Sequence, residues 1–141
     1  MLHFSQSDYL TILTHAPAEE VKQLAEAIIP QLGDILVLQN RTGLVMLPAV
    51  DSAEGETFHL GEVLVVQAHV RLGSGVEGYA MCVGRDLEQA MAVALLDAAL
   101  TSDIMSEEIL GFVADQSEIQ RLADDTLLRQ VQATRIEMET F

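Results

Sequence analysis

Apolar and polar positions change rhythm several times along this chain, and each rhythm predicts an element. Ser7 or Asp8 is placed to cap a first helix that runs to about His15. Pro17 suits the first turn of a second helix, Ala18 to Ile29. Glu19 and Glu20 lie near its positive end, and Pro30 and Gly33 are its stop signals. Ile35 to Gln39 reads as a short apolar strand, Asn40-Arg41-Thr42-Gly43 as a turn, and Leu44 to Val50 as the returning strand. Asp51 to Glu56 is a polar loop. Thr57 to Leu72 then alternates. Phe58, Leu60, Leu64, Val66, Ala68, Val70 and Leu72 lie on one side, broken only by Glu62. Such a period of two predicts a half-buried strand, or two strands joined at a bulge near Gly61. Gly73-Ser74-Gly75 predicts a hairpin turn and Val76 to Val83 its partner strand.

Gly84-Arg85-Asp86 closes the sheet. Asp86 stands three residues before Gln89, the spacing of a capping box, and opens a helix. From Ala90 to Leu100 only Asp97 is polar, so this helix lacks the single stripe of a surface helix. Its own sheet, or that sheet together with a partner, should bury it. Ser106 to Val113 reads as a short helix, and Ser117 to about Thr134 as a longer one with Ile119, Leu122, Leu128 and Val131 in core positions. In Arg135 to Phe141, Ile136, Met138 and Thr140 alternate with charged neighbours, which predicts an extended arm. The expected fold is α+β: an antiparallel four-stranded meander with helices on one face. One domain spans residues 1–141, with N-terminal helices over 1–33, the sheet over 34–83, C-terminal helices over 84–134 and the arm over 135–141.

Composition narrows the function classes. Half of the 141 residues are apolar, which supports a packed core. Cys82 is the single cysteine, so no intrachain disulfide forms. The N-terminus has neither the basic start nor the apolar run of a signal peptide, and the longest apolar stretch, Ala90 to Leu96, is too short to cross a bilayer. A soluble cytoplasmic protein is expected. With 22 acidic and 7 basic side chains the net charge is −15, which disfavours nucleic acid and anionic membranes. Six of the seven basic residues are arginines, suited to bidentate contacts with phosphate or carboxylate. Pairing with the abundant carboxylates is the simpler fate for any one of them.

Catalytic motifs are scarce. The chain has no phosphate loop, no Gly-x-Gly-x-x-Gly fingerprint and no nucleophile elbow. His59 and His69 fall on one face of a continuous strand but roughly 33 Å apart, too far to share a metal. No metal site is expected, and Cys82 is most simply a small core residue. The polar side of the long strand offers more: Gln67, His69 and Arg71 project in a row, and Arg85 lies just past the next strand near a helix N-terminus. A helix N-terminus offers N–H donors to an anion, although Asp86 as the cap would occupy them. A solvated sheet surface explains the same row without a ligand.

From Thr42 onward the chain resembles the PhnG family of the bacterial carbon–phosphorus lyase system. The resemblance is carried by Thr42-Gly43-Leu44-Val45, Gly55-Glu56-x-Phe58, Gly61-Glu62, Val70-Arg71-Leu72, Gly78-Tyr79, Val83-Gly84-Arg85-Asp86, Ala94-Leu95-x-Asp97-Ala98 and Ala133-Thr134-Arg135-x-Glu137, in order along the chain. It implies a subunit of a core complex with PhnH, PhnI and PhnJ, which replaces the adenine of ATP with a phosphonate. It also implies that PhnI is catalytic, that ATP is the substrate of the complex, and that this chain binds no cofactor alone and is not an enzyme by itself. Arg71, Arg85 and Arg135, with His69 and Gln67, become candidates for partner or anion contacts. Family members often carry arginine where Gln67 stands, which weakens an anion contact at that position. A homodimer is expected of the isolated chain. The contrasting reading is a stand-alone binding module or small hydrolase with its site on the polar sheet face.

Overall fold

The computed structural model describes residues 4–50 and 57–139, with side chains described except at 47–50, 57–60 and 134–139. Helix α1 spans Gln6–His15 and starts at a reciprocal cap: the Asp8 N–H donates to Ser5 Oγ (3.2 Å), and the Ser5 N–H donates to Asp8 Oδ2 (3.4 Å). The cap thus falls two residues before the expected Ser7. Helix α2, Ala18–Leu32, continues through Pro30 and stops at Gly33, whose φ of 73° suits a residue without a Cβ. A proline one turn from a helix end sacrifices one backbone bond; Ile28 and Leu32 stay buried on either side of it.

Among the described residues the sheet has three strands, not four. Strand β1 runs unbroken over Ile35–Val50, β2 over Thr57–Leu72 and β3 over Glu77–Val83, in the antiparallel order β1-β2-β3. Asn40, Arg41, Thr42 and Gly43 have turn composition, yet each pairs with β2, opposite Ala68, Gln67, Val66 and Val65. Their polarity reflects exposure at a sheet edge rather than chain reversal. The expected polar loop at 51–56 lies outside the described residues, and the two 16-residue strands on either side of it pair along their whole length. Two register shifts occur, between Val37 and Gln39 and between Leu47 and Pro48. The second leaves Leu60 as the extra residue of β2, beside the bulge expected at Gly61. At the other end the Gly75 N–H donates to Leu72 O (2.9 Å) and the Leu72 N–H to Val76 O (2.8 Å), closing the tight turn at Gly73-Ser74-Gly75.

Helix α3, Leu87–Thr101, lies over one face of the sheet. Asp86 caps it, accepting from the Gln89 N–H at 3.0 Å. Val66, Ala68, Val70, Ala80 and Cys82 meet it from below; Val21, Ala25 and Ile28 of α2 and Leu13 of α1 belong to the same core. The helix is therefore enclosed by its own chain and needs no partner to cover it. Gly78 makes the close approach possible: a Cβ there would fall 2.1 Å from Ala94 O and 2.9 Å from Ala98 Cβ. The small side chains of Ala94 and Ala98 let α3 sit directly on β3.

The last helix also departs from expectation. Helix α4 is one element, Ser106–Glu139, where two helices and an extended arm were expected. Its first turns carry Ile109 and Val113 into the core. Ile119, Leu122, Leu128 and Val131 are exposed rather than core residues, because the helix leaves the body of the domain after about Gln120, whose side-chain amide reaches Ile12 O (3.0 Å). Arg135 lies on this helical stretch rather than on an arm, and its side chain lies outside the described residues.

Candidate functional site

The sheet face opposite α3 collects most of the candidates. Alternation along β2 and pairing to β1 and β3 place Arg41, Gln67, His69, Arg71, Glu77 and Tyr79 side by side. Arg41 Nε donates to Gln67 Oε1 (3.3 Å), and Gln67 Nε2 donates to Tyr79 Oη (3.3 Å). The His69 and Tyr79 rings meet edge to face, with centroids 6.2 Å apart. Arg71 stands directly opposite Glu77, and its Nε and a terminal nitrogen both donate to Glu77 Oε1, at 3.2 and 2.8 Å. His69 Nε2 lies 3.6 Å from Glu77 Oε2. The Arg71 guanidinium, with His69 beside it, holds the Glu77 carboxyl below the usual carboxylate range.

Local pairing thus occupies Arg71. Arg85 differs: it is exposed and has no ion pair among the described residues. The neighbouring Asp86 is taken by Lys22, 2.9 Å away, while it caps α3; Lys22 and then the Gln89 N–H keep its carboxyl below the ordinary range. The register puts Arg71 opposite Glu77 at the turn end of the β2–β3 hairpin, and Arg85 lies eight residues beyond Glu77, past the opposite end of β3. That is roughly 26 Å, so no single anion bridges the two. A guanidinium does stand beside Gln67, supplied from the neighbouring strand by Arg41. Sequence reading did not single Arg41 out, because it assigned that residue to a turn.

A second polar cluster escaped the candidate set. Asp97 is 1 % exposed in the middle of α3. Its carboxylate accepts from Tyr9 Oη, from Gln6 Nε2 (3.2 and 3.3 Å) and from the Tyr79 N–H (2.9 Å). Burial, and then the bond to Asp97, raise the Tyr9 phenol above its ordinary pKa, so it stays a donor. The signal was present in the sequence: one acid in an otherwise apolar run of eleven residues must be satisfied by something. What satisfies it comes from α1 and β3, far away in the chain. Cys82 lies on the inner sheet face; burial pushes its thiol up to about 11, so it is protonated and packs as a small apolar residue. Among the described residues no three His, Cys, Asp or Glu side chains gather as metal ligands would, and no helix is long and apolar enough to cross a membrane.

A family model described as "Phosphonate metabolism protein PhnG" matches residues 5–141. The chain belongs to the PhnG family. The match reaches back to α1, well before Thr42, where the sequence resemblance begins. A relative from Rhizobium meliloti (strain 1021), the alpha-D-ribose 1-methylphosphonate 5-triphosphate synthase subunit PhnG, is 31% identical over 107 residues. That alignment covers 71% of this chain and 64% of the relative, so the chain spans somewhat less than two thirds of the relative's length. PhnG membership thus associates the chain with phosphonate metabolism. Of the stretches shared with the PhnG family, Gly78-Tyr79 and Asp97 are the residues that lock α3 onto β3.

Proposed function

We propose that this chain is a non-catalytic subunit of a complex that transfers ribose 5-triphosphate from ATP to a phosphonate, releasing adenine, and that PhnH, PhnI and PhnJ subunits are its partners. In that reaction a phosphonate oxygen attacks the anomeric carbon while adenine departs. Such a displacement needs a protonated leaving base, a positioned anion and cations around the triphosphate. The observation that carries the reading is how the described cations are placed. Lys22 is engaged by Asp86, Arg71 by Glu77, and Arg121 by Glu118 and Asp125. Arg41 and Arg85 lie on different parts of the sheet and form no common cradle. A chain of charge −15 with dispersed cations is poorly equipped to hold a triphosphate, so the cationic site belongs to its partners.

Arg85, exposed and without a carboxylate partner among the described residues, is the most available contact to such a subunit, and the exposed apolar residues of α4 are the second. The test is reconstitution. The pure chain with ATP and methylphosphonate should release no adenine above a protein-free control, while the co-expressed complex should. Arg85→Ala should keep the melting temperature of the isolated chain and weaken partner pull-down. Arg71→Ala, whose partner is internal, should leave pull-down unchanged. Adenine release by the pure chain, or full activity of a complex lacking this subunit, would refute the proposal.

A further inference from the structure

The core packs against one face of the sheet, and among the described residues no helix lies across the other. Alternate strand positions meet on that open face in two fields. Toward the hairpin turn the field is polar and holds Arg41, Gln67, His69, Arg71, Glu77 and Tyr79. Toward the far end of β3 it is apolar, with Val45, Val63, Val65, Met81 and Val83. Val65 is buried, with Gly43 across the ladder on one side and Val83 on the other. Val83 is 76 % exposed, and Val45 and Met81 are exposed as well. A sheet face turned to water ordinarily carries polar residues at such positions.

Charge also sets this face apart from the rest of the molecule. Of the chain's 22 acids, Glu77 is the one described on the face, and Arg71 pairs with it. Arg41 has no carboxylate partner among the described residues. It is nevertheless held in place. Its Nε donates to Gln67 Oε1, and the Gln67 amide donates in turn to Tyr79 Oη. A guanidinium fixed through Nε keeps its two terminal nitrogens in the fork that suits a carboxylate. The face therefore combines an anchored, uncompensated cation with exposed apolar side chains, inside a chain whose net charge is −15.

We infer that this face docks another subunit through a segment that carries a carboxylate beside apolar side chains. The carboxylate meets the terminal nitrogens of Arg41, and the apolar groups cover Val45, Met81 and Val83. The inference rests on the proposed function, which supplies the other subunits, and adds which surface they use and what chemistry fits it. Charge complementarity selects the occupant. A basic segment is drawn to the acid-bearing helices, whereas an acidic one is repelled by them and finds its compensating cation here. A second copy would bring its own charge of −15 and is disfavoured for that reason. A free small anion gains little from one exposed guanidinium in water, while the apolar field offers the contact area of a docked chain. Arg85 follows just beyond Val83, so the contact already proposed for it continues this surface.

The test uses the full chain co-expressed with the other subunits. Arg41→Gln and Val83→Asp should each keep the melting temperature of the isolated chain and weaken partner pull-down by about tenfold or more. Gln23→Glu, at an exposed position of α2, reaches the same net charge as Arg41→Gln and should assemble like the unaltered chain. Arg41→Lys keeps the charge but not the paired donors and should lose only part of the affinity. Hydroxyl-radical footprinting gives a readout free of mutation: Tyr79 and Met81 should be oxidised more slowly in the complex than in the isolated chain. Assembly of either Arg41→Gln or Val83→Asp at full affinity overturns the inference and leaves the proposed function standing. So does unchanged oxidation of Tyr79 and Met81 in a formed complex, or an equal loss in Gln23→Glu. Light scattering that finds the pure chain dimeric and Val83→Asp monomeric also overturns it, because a second copy then covers the face. A chain that captures no subunit at all refutes the proposed function, and this inference with it.

Discussion

Helix α3 and the part of α4 beyond Ser117 both carry a series of large apolar side chains, and the fold treats them in opposite ways. Nine of the fifteen residues of α3 are buried, enclosed by sheet on one side and by α1 and α2 on the other. In α4 the core contacts end with the first turns, and Ile119, Leu122, Leu127, Leu128 and Val131 lie open to water. The difference is one of neighbours as well as of composition, since the outer part of α4 also carries Arg121, Asp124, Asp125 and Arg129. Helix α3 has alanines where β3 approaches and one acid where α1 and β3 can satisfy it. The outer half of α4 has no layer to meet among the described residues. Apolar content alone therefore does not decide burial; topology decides whether the chain covers such residues or leaves them at the surface.

The contrast can be broken at its closest point. Gly78→Ala places a Cβ against the Ala94 carbonyl and should force α3 off β3, costing more than about 3 kcal/mol and lowering the denaturant midpoint severely. An unchanged midpoint would mean that α3 does not depend on this approach. Asp97→Ala removes the acceptor shared by Tyr9, Gln6 and Tyr79; leaving buried donors unsatisfied should cost about 2–3 kcal/mol, with partial recovery in Asp97→Asn. Amide exchange should then speed up selectively at Tyr79 and along α1, and uniform acceleration would argue against a local latch.

The outer half of α4 predicts the reverse. Leu127→Ser with Leu128→Ser should change the stability of the isolated chain by less than about 0.5 kcal/mol each and still weaken assembly with other subunits. A large loss of stability would show that this helix packs onto its own domain in solution.

The smallest effect concerns pH. Asp86 has its carboxyl pKa lowered in the fold, first by Lys22 and then by the Gln89 N–H. A lowered acid adds stability above its unfolded value, about 3.9, and loses it as pH falls through the folded value. The melting-temperature gap between the protein and Asp86→Asn should thus be present at neutral pH and close under strongly acidic conditions. A gap that stays constant with pH would assign the effect to lost capping geometry instead.

Much of this molecule was legible along the chain, for a physical reason in each case. The alternation of Thr57 to Leu72, the turn at Gly73-Ser74-Gly75 and the Asp86 cap are signals whose cause lies within a few residues, in side-chain period, in the freedom of glycine and in a carboxylate near its own helix N–H groups. Such local causes also put Gln67, His69 and Arg71 on one face. The order of motifs from Thr42 to Glu137 pointed to the family, because family likeness is itself a property of sequence. Tertiary structure alone decided what depends on distant partners. Whether Asn40 to Gly43 turns or continues is settled by the β2 residues available to pair with them, since turn composition and edge-strand composition are alike. Whether Arg71 is free depends on Glu77 standing across the ladder, and whether Asp97 is tolerable depends on Tyr9 and Gln6 arriving from nearly ninety residues away. Burial and pairing are relations between chain segments, and no window of neighbouring residues contains both sides of them.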